Sequence, residues 1–258
     1  MQPEPELRIH NYVSSLDVKV VEPLVDFMIK NKSGWDDVAS FLSEHGHMNL
    51  ICILAEQEYV SWDRVLHHVC KNGFVDFIEL AEKKGAKDWD TGLIYACEGG
   101  YAKIVDIAIK KGAKTFNEGF EKACRYGHLD IAKQMIDKGA RRWQQGMNAA
   151  CQGGHKILVD IMIEKGAKNW NKALLFAGSE EMVEYMIQKG ATSLDSAMTF
   201  AGKCGNIDKA ICIQKHGISI EKALLGAYEK NQKEFLHTLM KKILKLESTE
   251  PYPFVLHP

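Results

Sequence analysis

The stretch Ala86–Gly112, AKDWDTGLIYACEGGYAKIVDIAIKKG, decides the fold. It predicts two short helices joined at a glycine pair. Asp88 stands where a helix N-cap accepts an orphan backbone N–H. After it, Leu93, Ala96 and Cys97 fall at i, i+3 and i+4, one apolar stripe of a helix that runs to Gly99-Gly100. The second half carries Ile104, Val105, Ile107, Ala108 and Ile109, apolar over more than half the circumference, which predicts a helix covered on two sides. Its end, Lys110-Lys111-Gly112, sets cations against the negative end of the helix dipole and offers glycine for a left-handed C-cap. Helices of about ten residues are marginal in isolation. Such a pair persists only when neighbours bury its faces.

The neighbours are copies of it. Gly46, Gly73, Gly100, Gly127 and Gly154 recur at a constant step of 27, and Gly85, Gly112, Gly139 and Gly166 keep that step as a second column. Trp35, Trp62, Trp89, Phe116, Trp143 and Trp170 form a third column in the same register. The beat slips once, where Gly178 and Gly190 keep their spacing but arrive three residues early. Gly205 and Gly217 restore it, and a weaker unit centres on Asn231. Ser61, Asp88, Thr115, Asn169 and Ser193 stand at N-cap positions, and Thr115 with Glu118 predicts a capping box. The expected fold is all-α: a solenoid of about eight two-helix repeats over 35–246 without β-hairpins, each repeat contacting its neighbours alone. Residues 1–34 are expected as an N-terminal capping helix region, with Val20, Val21, Leu24, Phe27 and Met28 on one face, and 247–258 as an extended tail.

Composition agrees. The six prolines are Pro3, Pro5, Pro23, Pro251, Pro253 and Pro258, so 24–250 has none to break a helix. Lys+Arg 33 against Asp+Glu 34 gives a formal charge of -1, without the basic excess of a general nucleic-acid binder. No apolar run reaches the ~18 residues of a membrane span, and the polar start Met1-Gln2-Pro3-Glu4-Pro5-Glu6 does not read as a secretory signal. Seven cysteines, an odd number, fit a reducing cytoplasm better than a disulfide framework.

The repeat resembles the ankyrin repeat. Thr91-Gly92-Leu93 stands where that family has Thr-Pro-Leu, Ala96-Cys97 where it has paired alanines, and Gly127-His128-Leu129-Asp130-Ile131 matches its Gly-His segment. Lys138-Gly139-Ala140 matches its ending. The family period is about 33; this chain lacks some six residues where the β-hairpin finger would stand. The family's proline and histidine are replaced by pairs such as Gly92/Ile94, Gly119/Glu121 and Gly146/Asn148. Fingerless repeats with a tryptophan before helix one are similar to ankyrin-type proteins of large DNA viruses that infect amoebae. The resemblance implies a non-catalytic protein-binding module, a viral protein engaging a host factor in the host cytoplasm. Recruitment of substrates to a ubiquitin ligase and a structural part in a virion or assembly are the alternatives; the short tail Pro251-Tyr252-Pro253-Phe254 disfavours the first, since it cannot hold an F-box-like helical segment.

Candidate chemistry yields to packing at each turn. Cys70, Cys97, Cys124 and Cys151 step by 27. Equivalent atoms in stacked helices lie ~10 Å apart, too far for a disulfide or a shared zinc ion, so they read as small core residues. Cys52, Cys204 and Cys212 fall in no ligand spacing. His47, His128 and His155 share their column with Phe74, Tyr101, Ser179 and Asn206, which is not a ligand column, and His67-His68-x-Cys70 lies within one helical turn. Glu98-Gly99-Gly100 and Gln152-Gly153-Gly154 lack the lysine and hydroxyl of a phosphate loop. No catalytic constellation, metal or cofactor is expected.

A surface remains. The tryptophans are expected to stack from unit to unit and seal the edge left by the missing finger, or else, with one or two exposed, to anchor a partner. On helix one, the columns opposite the Leu-Ala-Cys stripe vary between units: Arg64, His68, Lys71; Thr91, Tyr95, Glu98; Glu118, Lys122, Arg125; Gln145, Ala149, Gln152. Stacked, they predict a concave strip of mixed charge, suited to another protein rather than to a phosphate backbone. At the slip, the shortened helix predicts a notch beside Gln152, Phe176 and Lys203, with Phe176 more exposed than Ala149. Arg64, His68, Lys71, Tyr95, Glu98, Lys122, Arg125, Gln152 and Phe176 are therefore the candidate partner-binding residues.

Overall fold

The computed structural model describes residues 34–56 and 58–244. Among the described residues there are sixteen α-helices, one short 3-10 turn and no strand. None of these helices is long and apolar enough to cross a membrane. The chain divides into two compact units, Met1–Arg141 and Arg142–Pro258. The capping region expected over 1–34, all but Gly34, and the tail expected over 247–258 lie outside the described residues.

The first unit holds α1 (Trp35–Glu44), α2 (Met48–Glu56), α3 (Trp62–Asn72), α4 (Ile78–Lys83, after the 3-10 turn Val75–Phe77), α5 (Trp89–Gly99), α6 (Ala102–Lys110), α7 (Phe116–Tyr126) and α8 (Leu129–Asp137). The second holds α9 (Trp143–Gly153), α10 (Lys156–Glu164), α11 (Trp170–Phe176), α12 (Glu180–Gln188), α13 (Leu194–Cys204), α14 (Ile207–Lys215), α15 (Glu221–Glu229) and α16 (Lys233–Leu244). The first helices of successive repeats pack on one another, α1 on α3, α3 on α5 and α5 on α7, and in the second unit α9 on α11, α11 on α13 and α13 on α15. Leu93, Ala96, Cys97, Ile104, Val105 and Ala108 are wholly buried. Each large aliphatic side chain so buried stabilises the pair by about 1.5–3 kcal/mol, which short helices need.

The helix ends follow local chemistry. Ser61 Oγ accepts the Arg64 N–H at 3.2 Å, Asp88 Oδ1 that of Thr91 at 3.2 Å and Asn169 Oδ1 that of Lys172 at 2.8 Å. Thr115 does not form the expected capping box: its hydroxyl donates instead to the Asp90 carbonyl of the preceding repeat at 2.7 Å. Ser193 likewise makes no side-chain cap bond. Gly100 ends α5 at φ +83 and returns its N–H to the Ala96 carbonyl at 3.0 Å, a conformation that disfavours side chains.

The linkers between repeats are held by side chains that lie one position after the aromatic column. Asp63 Oδ1 accepts the backbone N–H groups of Lys87 and Asp88 at 2.7 and 2.9 Å, and Asp90 Oδ1 that of Lys114 at 2.6 Å. Asn117 Oδ1 accepts from Arg141 at 2.8 Å and Gln144 Oε1 from Asn169 at 3.0 Å. Asn171 Oδ1 accepts from Thr192 and Ser193 at 2.7 and 2.9 Å. A side-chain oxygen on one repeat thus pairs with the linker amides of the next, which would otherwise need water.

The slip at repeat six appears as a short helix. α11 spans seven residues where α9 and α13 span eleven. Ala177 leaves the helix at φ -52, ψ 119, and the Gly178 N–H reaches the Cys151 carbonyl at 3.1 Å. The lost turn leaves the Leu175 carbonyl without a helical partner, and that of Leu174 with only the Ala177 N–H at 3.2 Å. Lys209, only 2% exposed, meets them: its Nζ donates to the Leu174 carbonyl at 2.6 Å and the Leu175 carbonyl at 2.7 Å.

Candidate functional site

In the first unit the strip positions come from α3, α5 and α7, whose parallel packing brings their flanks together. Arg64 forks onto Asp36 of α1, with Nε–Oδ1 2.9 Å and Nη2–Oδ2 2.8 Å, a bidentate pair across two repeats. Glu98 lies between two lysines, 2.5 Å from Lys122 Nζ and 3.4 Å from Lys71 Nζ, and Tyr126 adds its hydroxyl at 3.5 Å. Burial raises the Glu98 carboxyl, but Lys122 and Lys71 outweigh it and hold the group below its ordinary range. One carboxylate therefore links α3, α5 and α7. Arg125 is exposed at the outer end of α7.

Three of the expected strip residues are not on the surface. Glu98 is 9% exposed and His68 only 7%. Ala149, in the same set of columns, is buried as well. These side chains occupy the flank between adjacent first helices rather than the crest. Sequence periodicity places a residue on a helix face but does not say how closely the next helix approaches it.

His68 reveals its protonation state through its neighbours. Ser43 Oγ spends its proton on the Ser40 carbonyl at 2.9 Å and accepts from Asn72 Nδ2 at 3.2 Å. The 3.0 Å contact between Ser43 Oγ and His68 Nδ1 is then an N–H donated by the imidazole. Nε2 keeps a bare lone pair, buried and without a partner among the described residues. Burial first, then Arg64, His67 and Lys71, push the His68 pKa down to about 4, so the ring is neutral. His67 Nε2 donates to Asp88 Oδ2 at 3.0 Å, which leaves its Nδ1 equally bare. Both rings, with Ser40, Ser43, Glu44, Arg64, Lys71 and Tyr95, line a small cavity of about 60 Å³, room for a few waters. Tyr95 leans on His67 with ring centroids 5.4 Å apart.

Other sequence candidates resolve as packing. Cys70, Cys97, Cys124 and Cys151 are wholly buried, and burial pushes each thiol up to about 12, so none is a nucleophile. A Cβ on Gly99 would stand 2.1 Å from the Lys71 carbonyl oxygen, which explains that glycine without a phosphate. His128 Nε2 donates to the Glu98 carbonyl near the end of α5 at 3.0 Å, and in its column Asn206 Nδ2 donates to the Gly178 carbonyl in the turn after α11 at 3.2 Å, each serving the previous repeat. Trp35 stacks on Tyr59 at 4.5 Å, while Lys84 and Lys111 lie 5.7 and 5.9 Å from the ring centroids of Trp62 and Trp89. These three rings are engaged within their own repeats.

In the second unit Gln152 is exposed, and Phe176 is half-buried, more open than Ala149. Phe176 meets Phe200 edge-on at 5.9 Å, however, and the space behind the short helix holds the Lys209 ammonium. Lys209 thus occupies part of the space the lost turn vacates, while a cavity beside it stays open along Gly178, Cys204, Gly205 and Asn206. One arrangement had only a faint trace in the sequence: Cys212, in no ligand spacing by itself, is four residues from His216 and meets Glu184 of the neighbouring α12.

No family model matches the chain, and among curated proteins none is similar to it.

Proposed function

We propose that this chain is an ankyrin-like solenoid that binds another protein through the crests of its first helices, without catalysis. The observation that supports it is the Lys71–Glu98–Lys122 network, which ties α3, α5 and α7 and sets lysines, Tyr95 and the exposed Arg125 along one run of helices. Charges held in place by one another lose little side-chain entropy on binding, which favours a specific partner of complementary pattern. The similarity of the fingerless repeats to those of amoebal DNA viruses makes a host cytoplasmic protein the partner in this reading.

Affinity capture from a eukaryotic lysate with quantitative mass spectrometry tests it. Wild type is compared with Arg125→Glu, Tyr95→Ala and a control, Lys110→Glu, on the second helix of the same repeat. A protein retained by wild type and control but lost with both strip variants is the expected result. Identical enrichment by all four baits would overturn the assignment of the face. Ubiquitin-ligase subunits or viral structural proteins in the retained set would point to the recruiter or the assembly role.

A further inference from the structure

Among the described residues one set of three metal-ligating side chains converges, and it lies away from the strip. Glu184 sits on α12, Cys212 on α14 and His216 just after α14; the two helices pack on each other. The carboxylate oxygen, the sulfur and the ring nitrogen lie within 4.8 Å of one another. Glu184 Oε1 is 3.4 Å from Cys212 Sγ and 2.8 Å from His216 Nε2. A tetrahedral zinc ion, with bonds of about 2.0–2.3 Å, holds its ligands roughly 3.5 Å apart, so the donors already stand close to the required spacing.

We propose that Glu184, Cys212 and His216 form a zinc site that ties α12 to α14. Cys212 and His216 are one helical turn apart, which puts both on the same face of α14, and Glu184 approaches from the facing helix. The donor set is one of thiolate, imidazole and carboxylate, the three kinds zinc accepts. The charge balances: one carboxylate and one thiolate, its proton released to solvent, neutralise the dication. The nearby cation does not compete, because Lys215 is paired with Glu180. Three protein ligands leave the fourth position to water, the pattern of an open zinc site. Burial alone does not explain the grouping, since Cys212 is wholly buried whereas His216 is exposed and Glu184 partly so. The site opens outward from the sulfur. It also differs from the 27-residue cysteine column, whose sulfurs face core atoms; the Cβ positions of Gly92 and Gly119 lie 3.3 and 2.9 Å from Cys70 and Cys97.

The test uses the full chain, metal-stripped and held reduced. Cobalt(II) is titrated first, and its visible ligand-field bands and near-ultraviolet thiolate charge-transfer band are followed; zinc is then added to displace it. Expected are saturation at one equivalent with a charge-transfer band, bleaching by one equivalent of zinc, and loss of the band in Cys212→Ala. Because Cys212 is a core residue whose loss can unfold the chain, the exposed or part-exposed positions decide independently. His216→Ala and Glu184→Gln should weaken zinc binding on the order of 100-fold, at the upper end of what even an outer partner of a zinc ligand contributes. They should also abolish the rise in thermal midpoint that zinc gives wild type. Absence of the band at one equivalent, its survival in a folded Cys212→Ala protein, or unchanged zinc affinity in both other variants overturns the site.

Discussion

Removing the Asp63 carboxylate tests whether side chains on one repeat hold the linker of the next. In Asp63→Ala the amides of Lys87 and Asp88 lose an acceptor held at 2.7 and 2.9 Å. Hydrogen bonds to a charged acceptor contribute about 1.5–3 kcal/mol each when sheltered. The Lys87 amide is exposed and water can replace part of that contact, so the pair is worth about 2 kcal/mol in all. Asp63 also lies in the first turn of α3, where a negative charge stabilises the helix dipole by about 0.3–1 kcal/mol. Asp63→Asn separates the two effects. It loses the charge but keeps an oxygen, and asparagine does this task at positions 117 and 171. Denaturant unfolding should therefore show the alanine variant less stable than wild type by about 2.5 kcal/mol, the loss of the acceptor and of the dipole contribution together. The asparagine variant should lose only the dipole contribution, less than about 1 kcal/mol. Hydrogen exchange supplies the local readout, with the Lys87 and Asp88 amides exchanging faster in the alanine variant alone. The reasoning is refuted by an alanine variant within about 0.5 kcal/mol of wild type, the scatter of an inconsequential surface change, with those amides still protected. An asparagine variant as damaged as alanine refutes it equally.

Acid should weaken the first unit through His68. The folded ring stays neutral down to about 4, whereas the unfolded ring protonates near 6.5, so stability is full above 6.5 and falls as pH drops toward 4, by up to about 3 kcal/mol. His68→Asn should flatten that part of the stability–pH curve, and an unchanged slope would show that other groups set it. In the second unit Gly226→Ala should destabilise although alanine is the better helix former by about 1 kcal/mol. Its Cβ would stand 2.2 Å from the Thr199 carbonyl oxygen, an overlap relieved only by backbone movement, so a net loss of about 2 kcal/mol or more is expected in denaturant melts. A gain would mean α13 and α15 lie farther apart.

The legible part of this molecule was the part written in residue identity at fixed steps. Glycine recurs because each helix pair ends in left-handed backbone, and cysteine, alanine and leucine recur because one packing geometry repeats. The acceptor column at Asp63, Asp90, Asn117, Gln144 and Asn171 keeps the same step of 27. Reading by identity passed over it, since aspartate, asparagine and glutamine share only an oxygen at a given reach. The strip was legible as a face and not as an exposure. Whether His68 or Glu98 meets water depends on the gap between neighbouring helices, a distance no periodicity encodes. The Glu184–Cys212–His216 group was less legible still, since it needs the register between α12 and α14, which no column of identities encodes.

That lost turn shows how irregularities in a repeat chain can come in compensating pairs. Lys209 stands four residues after Gly205, in the column that Ile104, Ile131, Leu158 and Met182 fill with buried apolar side chains. A lysine there, in a full-length repeat, would bury a charge with nothing to receive it, a cost of several kcal/mol. Here it follows the repeat whose first helix spans only seven residues, and its ammonium meets the Leu175 carbonyl that the absent turn leaves open and the Leu174 carbonyl that otherwise has only the Ala177 N–H. The two departures should therefore be energetically coupled. Inserting three residues between Ala177 and Gly178 restores the turn but strands Lys209; Lys209→Met removes the charge but strands the carbonyls. Each change alone should destabilise, and the two together should cost less than their sum by about 1–3 kcal/mol, the range seen for residues in one network. Denaturant melts of the four proteins close the cycle. Costs that add within about 0.5 kcal/mol, as those of independent sites do, would show that the short helix and the buried lysine arose independently.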